Sequence, residues 1–381
     1  MEITLVLSLM PVMVCAVWSM IFLLDYLLQH FEAHKYLFIF MAAATLLYVG
    51  HYTFFIQATR YIPYTDIVYG MCNLAVYPLY LIYIAYLSKG AVGLRQWLLL
   101  LPSLLGGVAY AVLYAMMDES SRQLFISRYF YADTMVGLTD LALWQAWVHN
   151  VSKAVFMVLV VWVCVKGILL IRDFGRQVAL GYADTEGRTL RPVRVLLLLF
   201  PFISFVSITF LILGRSRFAV GELFLVIPSV LFSTLLFCVG YVGSQPMFSY
   251  REYAQEQEED MPVTEGSPTE MHPSRVEELA VEIERLMTEE KIYRQHDLRI
   301  TEIARLLGTN SKYVSLAFNQ VIGRPFADYV NERRIQYARE LKHQHPELVV
   351  TEIAHRSGFS SMQSFYRNMK KWKAAPAESH T

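Results

Sequence analysis

Ser311, Lys312, Ser315 and Asn319 lie at spacings that share one face of a short helix, and Met362, Gln363, Arg367, Lys370 and Lys371 do so in a second. Arg and Gln present paired hydrogen-bonding atoms that match guanine and adenine edges, whereas Lys and Ser suit phosphates and single hydrogen bonds. By helix-face position, Lys312, Ser315, Gln363 and Arg367 are the expected base contacts. Lys370 and Lys371, nearer a helix end, are placed for phosphates. The competing explanation for each is a solvated polar face. Around them, from Lys291 to Lys373, stand fifteen Lys or Arg against seven Asp or Glu, an excess of eight positive charges of the kind that phosphate neutralisation needs.

A second constellation lies inside apolar sequence. His51, Asp66, Asn73, His149, Asn150, Lys153 and Glu222 fall within two or three helical turns of one depth. Ionisable groups within a bilayer are costly and usually face a bundle interior or a water-filled cavity. A pocket for a small polar or charged ligand, open to the outer face, is the expectation from His51, Asp66, Asn73, His149, Lys153 and Glu222. The bland alternative is a set of interfacial side chains reaching for headgroups, with Lys153 snorkelling. No H-E-x-x-H, G-x-S-x-G or carboxylate pair at catalytic spacing occurs in this half, so no enzyme activity, cofactor or metal is expected. Cys15, Cys72, Cys164 and Cys238 sit in four separate apolar runs, which fits neither a disulfide framework nor a zinc site.

The elements that must position these residues differ sharply between the two ends. Hydrophobic residues make up 55% of the chain and charged ones 17%, and the charge is concentrated in the last third. Crossing ~30 Å of hydrocarbon takes about 20 apolar residues in a helix. Seven runs qualify: residues 3–28, 36–56, 66–87, 97–117, 144–171, 195–213 and 218–242. Met1-Glu2 lacks the basic start of a cleavable leader, so the first run reads as a retained span. With the N-terminus outside, the inner loops carry Lys35, Lys89, Arg95, Arg172, Arg176, Arg188, Arg191 and Arg194, and the outer loops Arg60, Arg122, Arg128, Arg215 and Arg217. That bias fits the positive-inside rule and leaves the C-terminal part in the cytoplasm. Residues 243–274 read as an acidic flexible linker, because residues 251–274 hold seven acidic residues, one basic residue and three prolines.

Residues 275–377 are polar and helical in pattern. Val276, Leu279, Ile283 and Leu286 recur at helix spacing. I-T-E-I-A-R-L-L-G (300–308) reads as a short helix with Thr301 as N-cap and Gly308 as C-cap, and a second short helix starts at Ser311. Two short helices joined by a Gly-bearing turn make a helix-turn-helix. About fifty residues later V-T-E-I-A-H-R-S-G-F (350–359) repeats the unit with T-E-I-A identical, followed by S-S-M-Q-S-F-Y-R-N-M-K-K (360–371). Residues 325–341 between them form an amphipathic run with Pro325 near its start, the expected connecting helix.

Taken together, E-I-A-R-L-L-G, S-K-Y-V-S-L-A-F-N-Q-V-I-G-R-P-F-A-D-Y-V-N-E-R-R-I-Q-Y-A-R-E-L and T-E-I-A-H-R-S-G-F-S-S-M-Q-S-F-Y-R-N-M-K-K-W resemble the DNA-binding domain of the AraC family over residues 300–373. The resemblance implies two helix-turn-helix units held by a rigid linking helix, reading major-groove segments about 34 Å apart on one face of the duplex. The chain departs from the family pattern at Met369, where a Phe is usual, at Ala374-Ala375-Pro376 in place of Gly-x-x-Pro, and at Leu316, where Arg or Gln is frequent. Apolar runs stand where the family's sensory cupin would be. The expectation is an all-α chain: a roughly seven-span transmembrane domain (1–242), the acidic linker (243–274) and a tandem helix-turn-helix domain (275–377). Such a chain would sit in a bacterial inner membrane and regulate transcription in response to a signal sensed by the membrane domain. Double-stranded promoter DNA, the lipid bilayer, a small-molecule or membrane signal and a second copy of the chain are the anticipated partners. The competing reading is a transporter or intramembrane enzyme with an autoregulatory DNA-binding tail.

Overall fold

The computed structural model of the chain describes residues 2–213, 222–259 and 273–373, and these are overwhelmingly helical. They divide into two compact units, Met1–Ile171 with Leu190–Pro246 and Arg172–Thr189 with Met247–Thr381. The expected boundaries shift in two places. Residues 172–189, read above as a loop of the apolar half, belong to the C-terminal unit, because Ala183 is buried in that unit's core. Tyr250–Glu259, read as flexible tether, is a helix whose Glu256 accepts a hydrogen bond from Tyr182 Oη (2.5 Å) and pairs with Arg299 (3.1 Å).

The first unit contains α1 (Glu2–Gln29), α2 (Glu32–Phe55), α3 (Ile62–Lys89), α4 (Leu101–Met116), α5 (Glu119–Phe125), the first part of α6 (Asp140–Gly181), α7 (Arg191–Leu213) and α8 (Glu222–Ser244). Six stretches among the described residues are long and apolar enough to cross a membrane: Ile3–Gln29, Glu32–Phe55, Ile62–Lys89, Leu94–Met116, Asp140–Gly181 and Val226–Ser244. The remaining run of the seven expected is α7, a 23-residue helix that leads into residues 214–221. Those residues, with Arg215 and Arg217 of the loop count, lie outside the described ones. In α2, Leu37, Phe40, Met41, Ala44 and Leu47 are buried at helical spacing, the stripe by which a helix packs on its neighbours. Large apolar side chains also cover the outward faces, with Val6, Met20, Leu28, Leu105 and Val158 exposed.

The stretch between α4 and α6, expected as a long loop, is instead packed. Asp118 Oδ1 caps α5 by accepting from the Ser121 amide (3.0 Å), and a wider helical turn, Ile126–Tyr131, follows. Phe125, Ile126 and Tyr129 are buried against Tyr114, Ala142 and Ala146. This packing brings Tyr129 to the polar groups of α6.

The second unit holds residues 172–189, α9 (Tyr250–Glu259), α10 (Pro273–Thr288), α11 (Ile300–Leu306), α12 (Ser311–Leu316), α13 (Phe326–Gln344), α14 (Val350–Arg356) and α15 (Met362–Lys373). Leu279, Ile283 and Met287 from α10 join Ile303, Ala304, Val314, Phe318, Phe326 and Val330 in one core. Ile335, Ala338, Leu341, Ile353, Ala354, Phe359 and Phe365 form a second. Both cores draw on α13, so the connecting helix supplies one wall of each repeat. Thr301 is not the N-cap of α11: the extended residue is Arg299, whose amide donates to Glu302 Oε2 (3.1 Å), and Thr301 is buried as the second residue of the helix.

Candidate functional site

In the second unit the two repeats close with the same hydrogen bond. The Thr309 amide donates to the Ala304 carbonyl (2.8 Å), and the Phe359 amide donates to the Ala354 carbonyl (3.1 Å). Each turn carries a glycine in the left-handed region, Gly308 at φ 61° and Gly358 at φ 90°. Between the repeats lies Arg334, fully buried on α13. Its Nε donates to the Tyr293 carbonyl (2.6 Å) and its Nη2 to the Gln295 carbonyl (2.7 Å), while the guanidinium sits 5.6 Å from the Phe359 ring centre. Burial pushes its pKa down to about 10, with Asp184 and Asp297 opposing the shift, so it remains a cation at neutral pH.

The sequence-expected DNA contacts fall on two helices whose buried faces are occupied by the cores. On the first, Asn310 caps α12 through Oδ1 and the Lys312 amide (2.8 Å), which places Ser311 in the first turn and leaves Lys312 exposed. Ser315 is half-buried, and Asn319 folds back to it, donating from Nδ2 to its carbonyl (2.8 Å). On α15, Gln363, Lys370 and Lys371 are exposed and Met362 and Arg367 half-buried. Lys371 is drawn to Asp328 on α13 (2.5 Å), which makes it a helix-to-helix tie as well as a surface cation. Arg367 Nη2 donates to Ser364 Oγ (3.3 Å). Tyr366, exposed on the same face as Gln363 and Lys370, joins the candidates; its place one turn after Met362–Gln363 was the available signal. Met369 packs against the second core in the position where a Phe was expected. Ala374, Ala375 and Pro376 lie outside the described residues.

In the first unit, a cavity of about 520 Å³ is lined by His51, Asp66, Asn73, His149 and Lys153 together with apolar and aromatic side chains. These five side chains come from α2, α3 and α6. Glu222 opens α8, and its side chain lies outside the described ones. At the polar end His149 Nδ1 lies 2.8 Å from the Gln145 carbonyl, which can only accept, so Nδ1 carries a proton. Its Nε2 lies 2.9 Å from Asp66 Oδ2, and Tyr114 Oη donates to the same oxygen (2.8 Å). One further proton is therefore held between imidazole and carboxyl, inside a pair that is almost wholly buried. Tyr110 stacks on His149 with ring centres 4.3 Å apart and planes 6° apart. Lys153 Nζ donates to Tyr129 Oη (3.1 Å), which itself donates to Asn150 Oδ1 (2.7 Å). Asn150 thus joins the network through the α5–α6 connection. Tyr110, Tyr114 and Tyr129 were not singled out from the sequence: a tyrosine in an apolar run reads as core until its hydroxyl partner is known.

Residues 303–379 match the family model of a helix-turn-helix domain, and this C-terminal domain is of the AraC type. Among curated proteins the chain is similar to uncharacterized HTH-type transcriptional regulators of Staphylococcus aureus strains MSSA476, N315 and COL, each 30% identical over 80 residues. The alignments take in 21% of this chain and 11% of each relative, so the chain spans about a tenth of their length. No solved structure matches the chain. The family match lies in the C-terminal unit, which carries a helix-turn-helix domain of the kind found in transcription regulators.

Proposed function

We propose that this chain is a membrane-bound, one-component transcription regulator: the C-terminal unit binds promoter DNA through two helix-turn-helix repeats, and the apolar unit holds a small molecule that controls it. The observation that carries the reading is the recurrence of the turn closure, Thr309 to Ala304 and Phe359 to Ala354, within residues 291–373, the stretch that carries an excess of positive charge. Two repeats held on one connecting helix suit two successive major-groove segments. Support for a membrane location comes from the six long apolar stretches and their exposed Val, Met and Leu faces, which water would penalise by ~25 cal/mol per Å². An N-terminus outside and the C-terminal unit in the cytoplasm are the orientation that the loop charges favour, and a bacterial inner membrane is the setting in which such a chain would reach DNA. Two copies on paired half-sites would raise the effective concentration of each reading unit.

The ligand of the cavity is amphipathic on this reading. A body of aliphatic or aromatic character fills the space lined by residues such as Phe40, Phe156 and Phe232, and a polar head meets His149, Asn73 and Lys153. Binding of the full-length protein, in lipid nanodiscs, to duplexes enriched from a random library tests the DNA half. Affinity should fall steeply with salt, with a log–log slope of about −0.9 per phosphate neutralised. Absence of any enriched duplex at physiological ionic strength rejects it. The cavity, with its His149–Asp66 pair, also favours a second reading in which the first unit transports its ligand and the tail regulates its own expression. Flux into vesicles that Lys153→Ala abolishes would select that reading.

A further inference from the structure

Residues 182–188 are built into the second unit. The Ala183 amide donates to the Leu298 carbonyl (3.0 Å), and the Ala183 carbonyl accepts from Asn331 Nδ2 on α13 (2.7 Å). Arg188 holds Asp297 with two bonds (2.8 and 3.2 Å) and lies over the Tyr182 ring. Thus anchored, the segment presents two carboxylates to the start of α15. Asp184, itself 6% exposed, accepts from Ser360 Oγ and from Ser364 Oγ, the latter at 3.4 Å. Glu186 accepts from Ser361 Oγ.

Ser361 is the N-cap of α15, since its Oγ accepts from the Ser364 amide (3.1 Å). Its hydroxyl proton goes to Glu186, which turns a lone pair towards the helix amide and strengthens the cap. Negative charge at a helix N-terminus is favoured by the helix dipole as well. Ser364, 1% exposed, lies between Asp184 and the guanidinium of Arg367, which donates to its Oγ. The result is a chain of contacts from Asp184 through Ser364 to Arg367. We propose that Asp184 and Glu186 are positioning residues for DNA reading, fixing the first turn of α15 and, through Ser364, the pose of Arg367. This rests on the proposed DNA-reading role of α15. The cap of α12 is its own Asn310, whose Oδ1 accepts from the Lys312 amide, so the effect of Asp184 and Glu186 is expected in the second repeat.

The test uses the full-length protein in detergent micelles carrying Asp184→Asn and Glu186→Gln together. Hydrogen exchange should speed up at least tenfold at amides 363–368 and stay unchanged at 311–318. Unchanged exchange at 363–368 overturns the proposal. Should both repeats loosen alike, Ser361→Ala decides: acceleration confined to 363–368 supports it, and its absence overturns it. On duplexes enriched by the wild type, the double variant should lose at least tenfold discrimination at those base pairs that Arg367→Ala relaxes, with discrimination at the Lys312-dependent pairs intact. Tighter binding with unaltered discrimination would mean that the carboxylates merely obstruct DNA, and overturns the proposal. If the wild type enriches no duplex, the DNA-reading role fails, while the exchange measurement still decides the positioning of α15.

Discussion

Replacing Arg334 by Met asks whether one buried cation holds the two repeats in register. In the wild type its Nε and Nη2 satisfy the Tyr293 and Gln295 carbonyls at 2.6 and 2.7 Å, and its guanidinium is fully buried. Met fills much of the aliphatic volume but donates nothing. Two carbonyls left without a donor cost ~1–3 kcal/mol each. Relief from the desolvation of a guanidinium, several kcal/mol for a buried ion, offsets part of that loss. A net destabilisation of about 2–4 kcal/mol is expected from these opposing contributions. For a unit of this size that corresponds to a fall in Tm of roughly 5–15 °C. Arg334→Lys should recover less than half, because a single ammonium cannot span both carbonyls with the geometry of the planar fork. The assay is thermal unfolding of the full-length protein in micelles, followed by exchange protection at 303–318 and 353–369. Both segments should lose protection together. A Tm within 2 °C or so of wild type, on the same scale, would show that the apolar seams alone fix the repeats and that the cation's bonds only balance its burial.

Four further outcomes follow from the geometry. Gly358→Ala would place a Cβ 2.8 Å from the carbonyl oxygens of Tyr293 and Arg294 at φ 90°, so it should destabilise the second repeat by more than about 2 kcal/mol. Gly308→Ala, at φ 61° with open space around it, should cost only about 1 kcal/mol in the same thermal assay. Arg367→Ala should cost ~1–3 kcal/mol of specific binding and relax preference at particular base pairs, whereas Lys370→Ala should weaken all duplexes alike and flatten the salt slope by about one; titration of matched and shuffled duplexes by fluorescence anisotropy separates the two. Asp66→Ala leaves His149 and Tyr114 without their shared acceptor and should destabilise the first unit by ~3–5 kcal/mol, while near-isosteric Asp66→Asn keeps an acceptor for Tyr114 and should cost less than half of that, as read from unfolding in micelles.

How much of this was legible in the sequence depends on the length scale of the interaction. The apolar helices and the tandem repeat are set by local periodicity and by turn glycines, and the spacing of Ile303, Leu307, Val314 and Phe318, with small Ala304 where the helices approach, marks a seam that the first core buries fully except at half-buried Leu307. The polar set His51, Asp66, Asn73, His149 and Lys153 was also legible, because an ionisable residue in an apolar run stands out by cost alone. What the sequence did not carry was pairing. Nothing in a linear reading joins Asp66 to His149 across 83 positions, or Tyr129 to Lys153 through a connection that looked like open loop. The Thr301 cap was misplaced for a related reason: an Arg whose amide is served by a Glu three residues on has no distinctive cap letter.

The segment 182–188 is the most instructive miss. Its sequence, Y-A-D-T-E-G-R, has the polarity and the glycine of an ordinary turn between two apolar helices, and the loop's basic residues were counted only for orientation. Its partners Leu298, Asn331, Ser360, Ser361 and Ser364 lie 115–180 positions away in the chain. Each contact is a small polar group meeting another, and no periodicity marks such a match in advance. Yet the burial of Ala183 and the fixed donors around it make the segment as much a part of the reading unit as α13 is. A chain that only tethered a DNA-binding domain to apolar helices would need nothing there but solubility. The conservative exchange of two carboxylates for amides therefore separates a tether from a built component, since it keeps the length of the segment and removes only the negative charges and one acceptor oxygen of each residue that holds Ser360, Ser361 and Ser364.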